Sequence, residues 1–274
     1  MPAIESFTTP EEDALSEAFL QQGYIVRDVA HPDALNTLRH SILEIACDYL
    51  SVDFPEDEGQ FLNSIHKVVP VEKLNDFRLA IYNGINARSW LRPTYFALGR
   101  RVTEVLVGNE LAMQNRVNLS IQMPEDDSSL LGIHSDAFSG ETPFQVVQWL
   151  PLVDVYDTKS MFLLPPKFNR GIIPKLKTVL EAGGADRLFE EVQEQLVWVD
   201  VPYGKILIFS PNLLHGNILN TTSETRWSLN CRITGLFTPY ASNEKNLGGF
   251  YLPITTRTVS RIGMDYRSPE GFRE

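Results

Sequence analysis

Basic residues, histidines and long apolar runs are all scarce in this 274-residue chain. Its 24 Lys and Arg are outnumbered by 35 Asp and Glu, so the net charge is −11. That charge argues against nucleic acid or an anionic membrane as the main partner, because both attract basic surfaces. No apolar run approaches the length of a membrane span, and no secretory leader opens the chain. We therefore expect a cytoplasmic protein without a membrane or nucleic-acid partner.

Cysteine is equally scarce. Cys47 and Cys231 lie far apart in unlike contexts, which indicates two reduced thiols rather than a disulfide framework. The chain is 43% hydrophobic, enough for a substantial core. Its length allows one large domain or two small ones. Because no linker, repeat or low-complexity tract interrupts it, we predict a single domain over residues 1–274.

The residue pattern changes near residue 110. Residues 1–110 are predicted to be mainly helical, with helices over about 10–22, 32–50 and 71–107 and a loop over 51–64. Thr9 and Pro10 before three acidic residues predict the first helix start, and Gly23 its end. Residues 112–235 are predicted to be rich in strands, with a helical insertion over about 170–196 that is broken at two glycines. From residue 236 we expect irregular coil with a little strand.

The strand-rich part contains a His and an Asp two residues apart, His134 and Asp136. Residues i and i+2 of a strand point to the same face, so these two side chains are predicted to project together with Ser135 turned away. One nitrogen and one carboxylate ligand are two-thirds of a facial triad, which binds Fe(II) and leaves other coordination positions open. His31, His40 and His66 have no other ligand types around them at suitable spacing. The predicted third ligand is therefore His215, which follows a buried strand.

Residues 226–234 alternate strictly, and Arg226, Ser228, Asn230 and Arg232 share one strand face. A guanidinium and a hydroxyl two residues apart suit the capture of a carboxylate. A charge on this face would be costly to bury unpaired, so a ligand carboxylate is the favoured partner of Arg226.

The pattern of His134, Asp136, His215, Arg226 and Ser228 resembles the Fe(II)/2-oxoglutarate-dependent dioxygenases. Residues 23–26 and 204–209 look similar to the phytanoyl-CoA-dioxygenase-like branch, and the tail over residues 247–266 to a smaller group found with carbohydrate-biosynthesis genes. The resemblance implies a mainly β fold with flanking helices: a double-stranded β-helix (a cupin-like jelly roll) with the N-terminal helices packed on its outer sheet.

The resemblance also implies roles for these residues. His134, Asp136 and His215 would bind Fe(II), and Arg226 and Ser228 would bind the C5 carboxylate of the co-substrate 2-oxoglutarate. Together with O2 this chemistry oxidises an unactivated C–H bond, here of a small polar metabolite such as a sugar derivative. Halogenating relatives lack the carboxylate ligand, so Asp136 favours hydroxylation or another oxidation. Desaturation, epimerisation and ring formation stay open because each begins with hydrogen abstraction.

Further pocket residues are predicted from polar strand faces. Asn118 and Gln122 are candidates for the C1 end of 2-oxoglutarate, and Gln148, Asn230 and Arg232 for co-substrate or substrate, although such faces are often simply solvated. Trp149 and Trp227 are expected in the core. The arginines of the helical region are expected on a solvated helix face: Arg78, Arg88, Arg92, Arg100 and Arg101. Alternatively, one or two of them face the cavity and hold a phosphate or carboxylate.

Two other interpretations compete with an oxygenase. A cupin-like protein can bind a metal as a sugar-binding or sensor module, or it can use the metal as a Lewis acid in an isomerase. The Arg226-x-Ser228 pair favours the oxygenase, since neither rival needs a carboxylate clamp. The insertion at 170–196 is either a lid or a surface excursion.

Overall fold

The computed structural model describes residues 6–240 and 244–271. The N-terminal part of the chain is helical apart from one strand, β1 (Tyr24–Asp28). Its helices are α1 (Pro10–Gln22), α2 (Pro32–Leu50), α3 (Glu58–Asn63), α4 (Val71–Asn86) and α5 (Leu91–Leu106). The remaining strands follow from residue 111 onward, so the helical and the strand-rich parts of the sequence correspond to a layer of helices and a layer of sheet.

The strands form two antiparallel sheets. After β1, the strands are β2 (Leu111–Gln114), β3 (Asn118–Gln122), β4 (Gln145–Pro151), β5 (Phe162–Leu163), β6 (Val197–Trp198), β7 (Lys205–Phe209), β8 (His215–Gly216), β9 (Arg226–Gly235) and β10 (Tyr251–Thr255). The major sheet has the order β1-β7-β4-β9-β2-β10, and β3 also pairs with β9. The minor sheet has the order β6-β5-β8. Residues from both sheets line one internal cavity, as expected for a jelly roll.

The helical layer covers the outer face of the major sheet. Helix α4 contacts β3, and α5 contacts β4 and β7. One hydrophobic cluster joins buried residues of α2, α4 and α5 to Trp227, Leu229, Cys231 and Ile233 of β9. The expected packing of the N-terminal helices on the outer sheet is thereby confirmed, and so is the core position of Trp227.

Helix α1 begins and ends where its sequence signals lie. Thr9 accepts a hydrogen bond from the backbone N–H of Glu12, and the Glu12 carboxylate accepts one from the N–H of Thr9, which is a capping box. Gly23 ends the helix with φ of 79°, a left-handed conformation that favours glycine.

Two predictions for connecting segments were wrong. The expected loop at residues 51–64 contains α3, because Asp57 accepts a hydrogen bond from the N–H of Gln60 and caps a helix that the acidic composition concealed. The tail, expected to be coil with a little strand, contains strand β10 but also the unpredicted helix α8 (Thr258–Asp265). The short strands β2, β6 and β8 were not predicted either.

The insertion contains α6 (Pro166–Ile172) and α7 (Leu176–Val192). As predicted, α7 is interrupted at two glycines, where Gly184 has φ of 67°. Leu188 and Val192 of α7 pack in a second hydrophobic cluster with Ile133, directly before the first ligand candidate.

No helix of the described ranges has the length and apolar character needed to cross a membrane. The cytoplasmic location, the absence of nucleic-acid and membrane partners, and the single-domain division stay predictions. Residues 1–5, 241–243 and 272–274 of that domain lie outside the described residues.

Candidate functional site

The three predicted metal ligands meet at one point. Nε2 of His134 lies 3.5 Å from Oδ1 of Asp136, and Nε2 of His215 lies 3.8 Å from the same oxygen. The candidate ligand atoms all lie within 4.8 Å of one another. Two imidazole nitrogens and one carboxylate oxygen at this spacing are the donor set of a facial triad.

Backbone pairing brings the two distant histidines together. The N–H of His134 donates to the carbonyl of His215 over 2.9 Å, and the N–H of His215 donates back over 2.8 Å. Ser135 is turned away, as predicted, and its hydroxyl donates to the carbonyls of Pro211 and Asn212. The strand-like path is shorter than expected, since Asp136 already begins a 3₁₀ turn.

Each imidazole has a fixed orientation. Nδ1 of His134 lies 2.8 Å from the carbonyl oxygen of Gly132, and Nδ1 of His215 lies 2.8 Å from that of Leu213. A carbonyl accepts, so each Nδ1 carries the proton and each Nε2 keeps its lone pair for a metal ion.

The electrostatics of the triad favour cation binding. Burial raises the pKa of the Asp136 carboxyl, but interaction with His134 and the charge of Arg232 lower it by more, to about 2. Burial, together with the neighbouring His134, lowers the pKa of His215 to about 4. At neutral pH, Asp136 is therefore an anion and His215 a neutral imidazole, the protonation states that a metal ion requires.

A cavity of about 150 Å³ lies beside the triad. Its lining residues come from both sheets and the segments between them: Ser120, Ser129, Leu131, His134, Asp136, Val147, Trp149, Met161, Phe209, His215, Gly216, Asn217, Arg226, Ser228, Asn230 and Arg232. Trp149, expected in the core, is both a core residue and part of the cavity wall. The lining includes no arginine from residues 71–107.

Arg226 and Ser228 carry donors into this cavity. Arg226 is only 5% exposed, and burial lowers its pKa to about 10, so the guanidinium stays charged at neutral pH. Its Nη atoms donate to the carbonyl of Ser160 over 3.3 Å and to the hydroxyl of Ser120 over 3.2 Å. Its Nε and the hydroxyl of Ser228 have no hydrogen-bond partner among the described residues. A buried cation in this condition is costly unless an anion joins it.

Of the predicted pocket residues Asn118, Gln122 and Asn230, one lines the cavity and two lie behind its lining. Asn230 lines the cavity, and its side-chain oxygen accepts a hydrogen bond from the Asn118 side chain. Gln122 donates to the carbonyl of Ile218 and accepts from Asn217, so both Asn118 and Gln122 stand behind the lining.

Gln148 lies away from the cavity. Its side chain is fully buried and donates to the carbonyl of Tyr95 in helix α5. The structure thus puts this predicted substrate residue on the helical side of the major sheet.

Arg232 lines the cavity, but its guanidinium is occupied. Nε and Nη2 lie 2.9 Å and 2.7 Å from Oδ2 of Asp136. Oδ1 of Asp136 is the atom that faces the two imidazoles. The side chain predicted to touch substrate therefore binds the carboxylate of the triad.

Sequence reasoning missed Ser120 and Asn217. Ser120 lies between Asn118 and Gln122 on the same polar strand face, and it pairs directly with Ser228. The alternation of β3 contained this signal, but only the strand register shows which polar residue reaches Arg226.

Comparison with known proteins identifies the fold. No protein-family profile and no curated protein matches the chain. Among solved structures, the nickel complex of ThoJ, a non-heme monooxygenase, is 14% identical, with a TM-score of 0.58 over 94% of this chain and 89% of that one. HygX from Streptomyces hygroscopicus, with nickel and 2-oxoglutarate bound, is 16% identical, with a TM-score of 0.53 over 89% and 96%.

A third similar structure is SnoK, a non-heme α-ketoglutarate-dependent carbocyclase from nogalamycin biosynthesis. It is 13% identical, with a TM-score of 0.51 over 93% of this chain and 100% of that one. Identities this low speak for shared architecture and not for shared chemistry. The chain therefore has the cupin-like double-stranded β-helix fold of these non-heme enzymes.

Proposed function

We propose that this protein is an Fe(II)- and 2-oxoglutarate-dependent oxygenase. The observation that carries the proposal is the cavity with three candidate metal ligands on one wall and, on another, two donors without a partner among the described residues, Nε of Arg226 and Oγ of Ser228. Either feature alone suits a metal-binding cupin. Their combination suits a metal ion together with a small carboxylate, which is what 2-oxoglutarate supplies. HygX, which has the same fold, was solved with both nickel and 2-oxoglutarate.

The residues of the chain have distinct roles in this proposal. His134, Asp136 and His215 would hold the iron through Nε2, Oδ1 and Nε2. Arg226 and Ser228 would bind the far carboxylate of 2-oxoglutarate, and Asn230, on the same face of β9, also lines the cavity. Trp149, Met161 and Phe209 are among the apolar residues of the wall and would limit water in the cavity. Bound iron, 2-oxoglutarate and O2 supply the oxidation of a substrate C–H bond, with succinate and CO2 as co-products.

The substrate is proposed to be a small uncharged metabolite, with a sugar or sugar derivative as one candidate. Each charged side chain among the described lining residues already has a role in this proposal. Asp136 belongs to the triad, Arg226 would bind the carboxylate of 2-oxoglutarate, and Arg232 binds Asp136. The remaining lining near the triad offers hydroxyl, amide and apolar groups from Ser129, Asn217 and Leu131. Hydroxylation is favoured over halogenation because Asp136 fills the carboxylate position.

The test is anaerobic addition of Fe(II) and 2-oxoglutarate to the metal-free protein. We expect a weak visible absorption band that needs both additions, and succinate formation once air is admitted. His134→Ala should abolish both signals. His31→Ala is the matched control, since His31 is exposed and makes no side-chain cap; it should behave like wild type.

The rivals give different results. A metal-binding module would show no band and no succinate, and an isomerase would turn over substrate without consuming oxygen or 2-oxoglutarate. Either result for the wild-type protein would refute the oxygenase. Product mass then separates hydroxylation from ring formation, desaturation and epimerisation.

A further inference from the structure

Alternating charges lead from the candidate metal centre toward the C-terminal segment. Nε of Arg232, which binds Oδ2 of Asp136, also lies 3.5 Å from Oε1 of Glu141. Nζ of Lys245 is 2.9 Å from the same oxygen. The hydroxyl of Tyr251 in β10 lies within hydrogen-bond distance of Oε2 of Glu141, at 2.7 Å, and of Oε1 of Gln145. We call Asp136, Arg232, Glu141 and Lys245 the ion-pair chain.

The ion-pair chain is buried at its centre. Glu141 is 3% exposed and Tyr251 is fully buried. Burial and the adjacent Glu141 raise the pKa of Tyr251, so its hydroxyl stays protonated and can donate. Burying a carboxylate such as Glu141 adds little stability compared with an apolar side chain of similar size. Its presence five residues after Asp136 therefore indicates another role.

The geometry of Asp136 indicates what that role is. Arg232 uses two nitrogens on Oδ2 alone, so Oδ1 is left to face the two imidazoles. A carboxylate without this partner could turn or present both oxygens to an ion. Arg232 itself is a positive charge next to a cation site, and Glu141 offsets that charge as well as holding the guanidinium.

We propose that Glu141 and Tyr251 are positioning residues that hold Arg232 in place, so that Asp136 offers one defined oxygen to the metal ion. The proposal rests on the proposed function, since it requires a metal ion at the triad. It links strand β10 to Asp136, a candidate ligand that lies more than 100 residues earlier in the sequence. It also explains why Arg232 lines the cavity without being free for substrate.

Metal affinity tests this role without turnover. Mn²⁺ is titrated into the metal-free protein and followed by its electron paramagnetic resonance signal, with no co-substrate present. Glu141→Gln removes the charge but keeps the shape, and we expect it to weaken Mn²⁺ binding by about tenfold or more, as for other partners of ligand residues. Tyr251→Phe should weaken binding in the same direction by less, because Lys245 still contacts Glu141.

Tyr240→Phe is the matched control. The Tyr240 ring packs 5.5 Å from that of Tyr251 in the same small cluster. Among the described residues, its hydroxyl hydrogen-bonds to the carbonyl of Leu236, at 3.5 Å, outside the ion-pair chain. Loss of this hydroxyl should leave Mn²⁺ affinity unchanged. Thermal unfolding is measured on every variant in parallel.

The outcomes separate the two proposals. Wild-type protein that binds no Mn²⁺, or that binds it as His134→Ala does, overturns the proposed function and this inference with it. If the wild-type protein binds Mn²⁺ and both Glu141→Gln and Tyr251→Phe bind it with the same affinity, only the positioning role is overturned. This holds whatever the thermal stability of the two variants. If Glu141→Gln does not fold, the comparison of Tyr251→Phe with Tyr240→Phe decides. Weaker Mn²⁺ binding in Tyr251→Phe alone supports the positioning role, and equal Mn²⁺ affinity in the two variants overturns it.

Discussion

Arg226 carries a positive charge into the interior of the jelly roll without an ion pair to any described residue. Its two hydrogen bonds go to neutral oxygens at 3.3 Å and 3.2 Å, which is weak compensation for a buried guanidinium. Stability alone does not account for such a residue. The same incomplete pairing makes it ready to receive a carboxylate.

Replacing Arg226 should therefore have opposite effects on stability and on binding. We expect Arg226→Met to raise the free energy of unfolding of the ligand-free protein by about 1 kcal/mol or more. It should weaken 2-oxoglutarate binding by about thirtyfold or more, since loss of one partner of a buried charge pair costs about 2 kcal/mol or more. Chemical denaturation and calorimetric titration of 2-oxoglutarate measure the two quantities.

Arg92→Met is the control for this exchange. Arg92 donates to the carbonyls of Met113 and Gln114 over 3.0 Å and 3.1 Å, so its loss should destabilise the protein without changing 2-oxoglutarate affinity. A destabilised Arg226→Met variant with unchanged 2-oxoglutarate affinity would contradict the clamp role.

The candidate metal centre depends on how closely two short elements approach each other. Strand β8 pairs with β5 and also forms the backbone bridge between His215 and His134. At Gly216, an added Cβ would lie 2.8 Å from the carbonyl oxygen of Leu131 and 3.0 Å from the backbone of Gly132. Glycine is needed here because two backbones are nearly in contact, which is what keeps the two histidines together.

Gly216→Ala should separate these elements. We expect a fall in succinate formation of about tenfold to a hundredfold, because displacing a reacting group by about 1 Å has an effect on that order. Mn²⁺ affinity should fall in parallel. Gly171→Ala in α6 is the control, since a Cβ there meets nothing within 4 Å and alanine is the better helix former. Unchanged Mn²⁺ affinity in Gly216→Ala would show that the site tolerates this displacement.

At the scale of the whole molecule, the helical layer and the major sheet share one core. Phe77 of α4 is fully buried and packs edge-on against Trp227 of β9, with ring centroids 5.9 Å apart. The indole nitrogen of Trp227 donates to the carbonyl of Leu62 in α3. The wall that carries Arg226 and Ser228 is thus supported from behind by helices, and the two layers are expected to unfold together.

A destabilising substitution in the helical layer should therefore lower the free energy of unfolding of the whole protein. Phe77→Ala is expected to cost about 3–5 kcal/mol of unfolding free energy, the usual range for such a truncation. Far-ultraviolet circular dichroism and tryptophan fluorescence should still report one common transition. Leu79→Ala, in the same helix but 45% exposed, should change stability by less than about 0.5 kcal/mol. Two separate transitions in Phe77→Ala would contradict the shared core.

The ligand types and the faces of β9 are properties of the sequence itself. Alternation is intrinsic to a strand, so residues 226–232 show that Arg226 and Ser228 share a face wherever the strand lies. The scarcity of histidine reduced the choice of a third ligand to His215. In the same way, the cap at Thr9 and the end at Gly23 are local interactions that neighbouring residues determine.

Tertiary structure decided which face of each strand points inward and which charges meet. On β4 both faces contain a glutamine and apolar residues, so alternation cannot show that Val147 and Trp149 border the cavity while Gln148 faces α5. Arg232 meets Asp136, 96 residues earlier in the chain, only because β9 and the turn after His134 converge. Periodicity sets relative orientation along one element, whereas contacts between distant elements depend on how the layers pack.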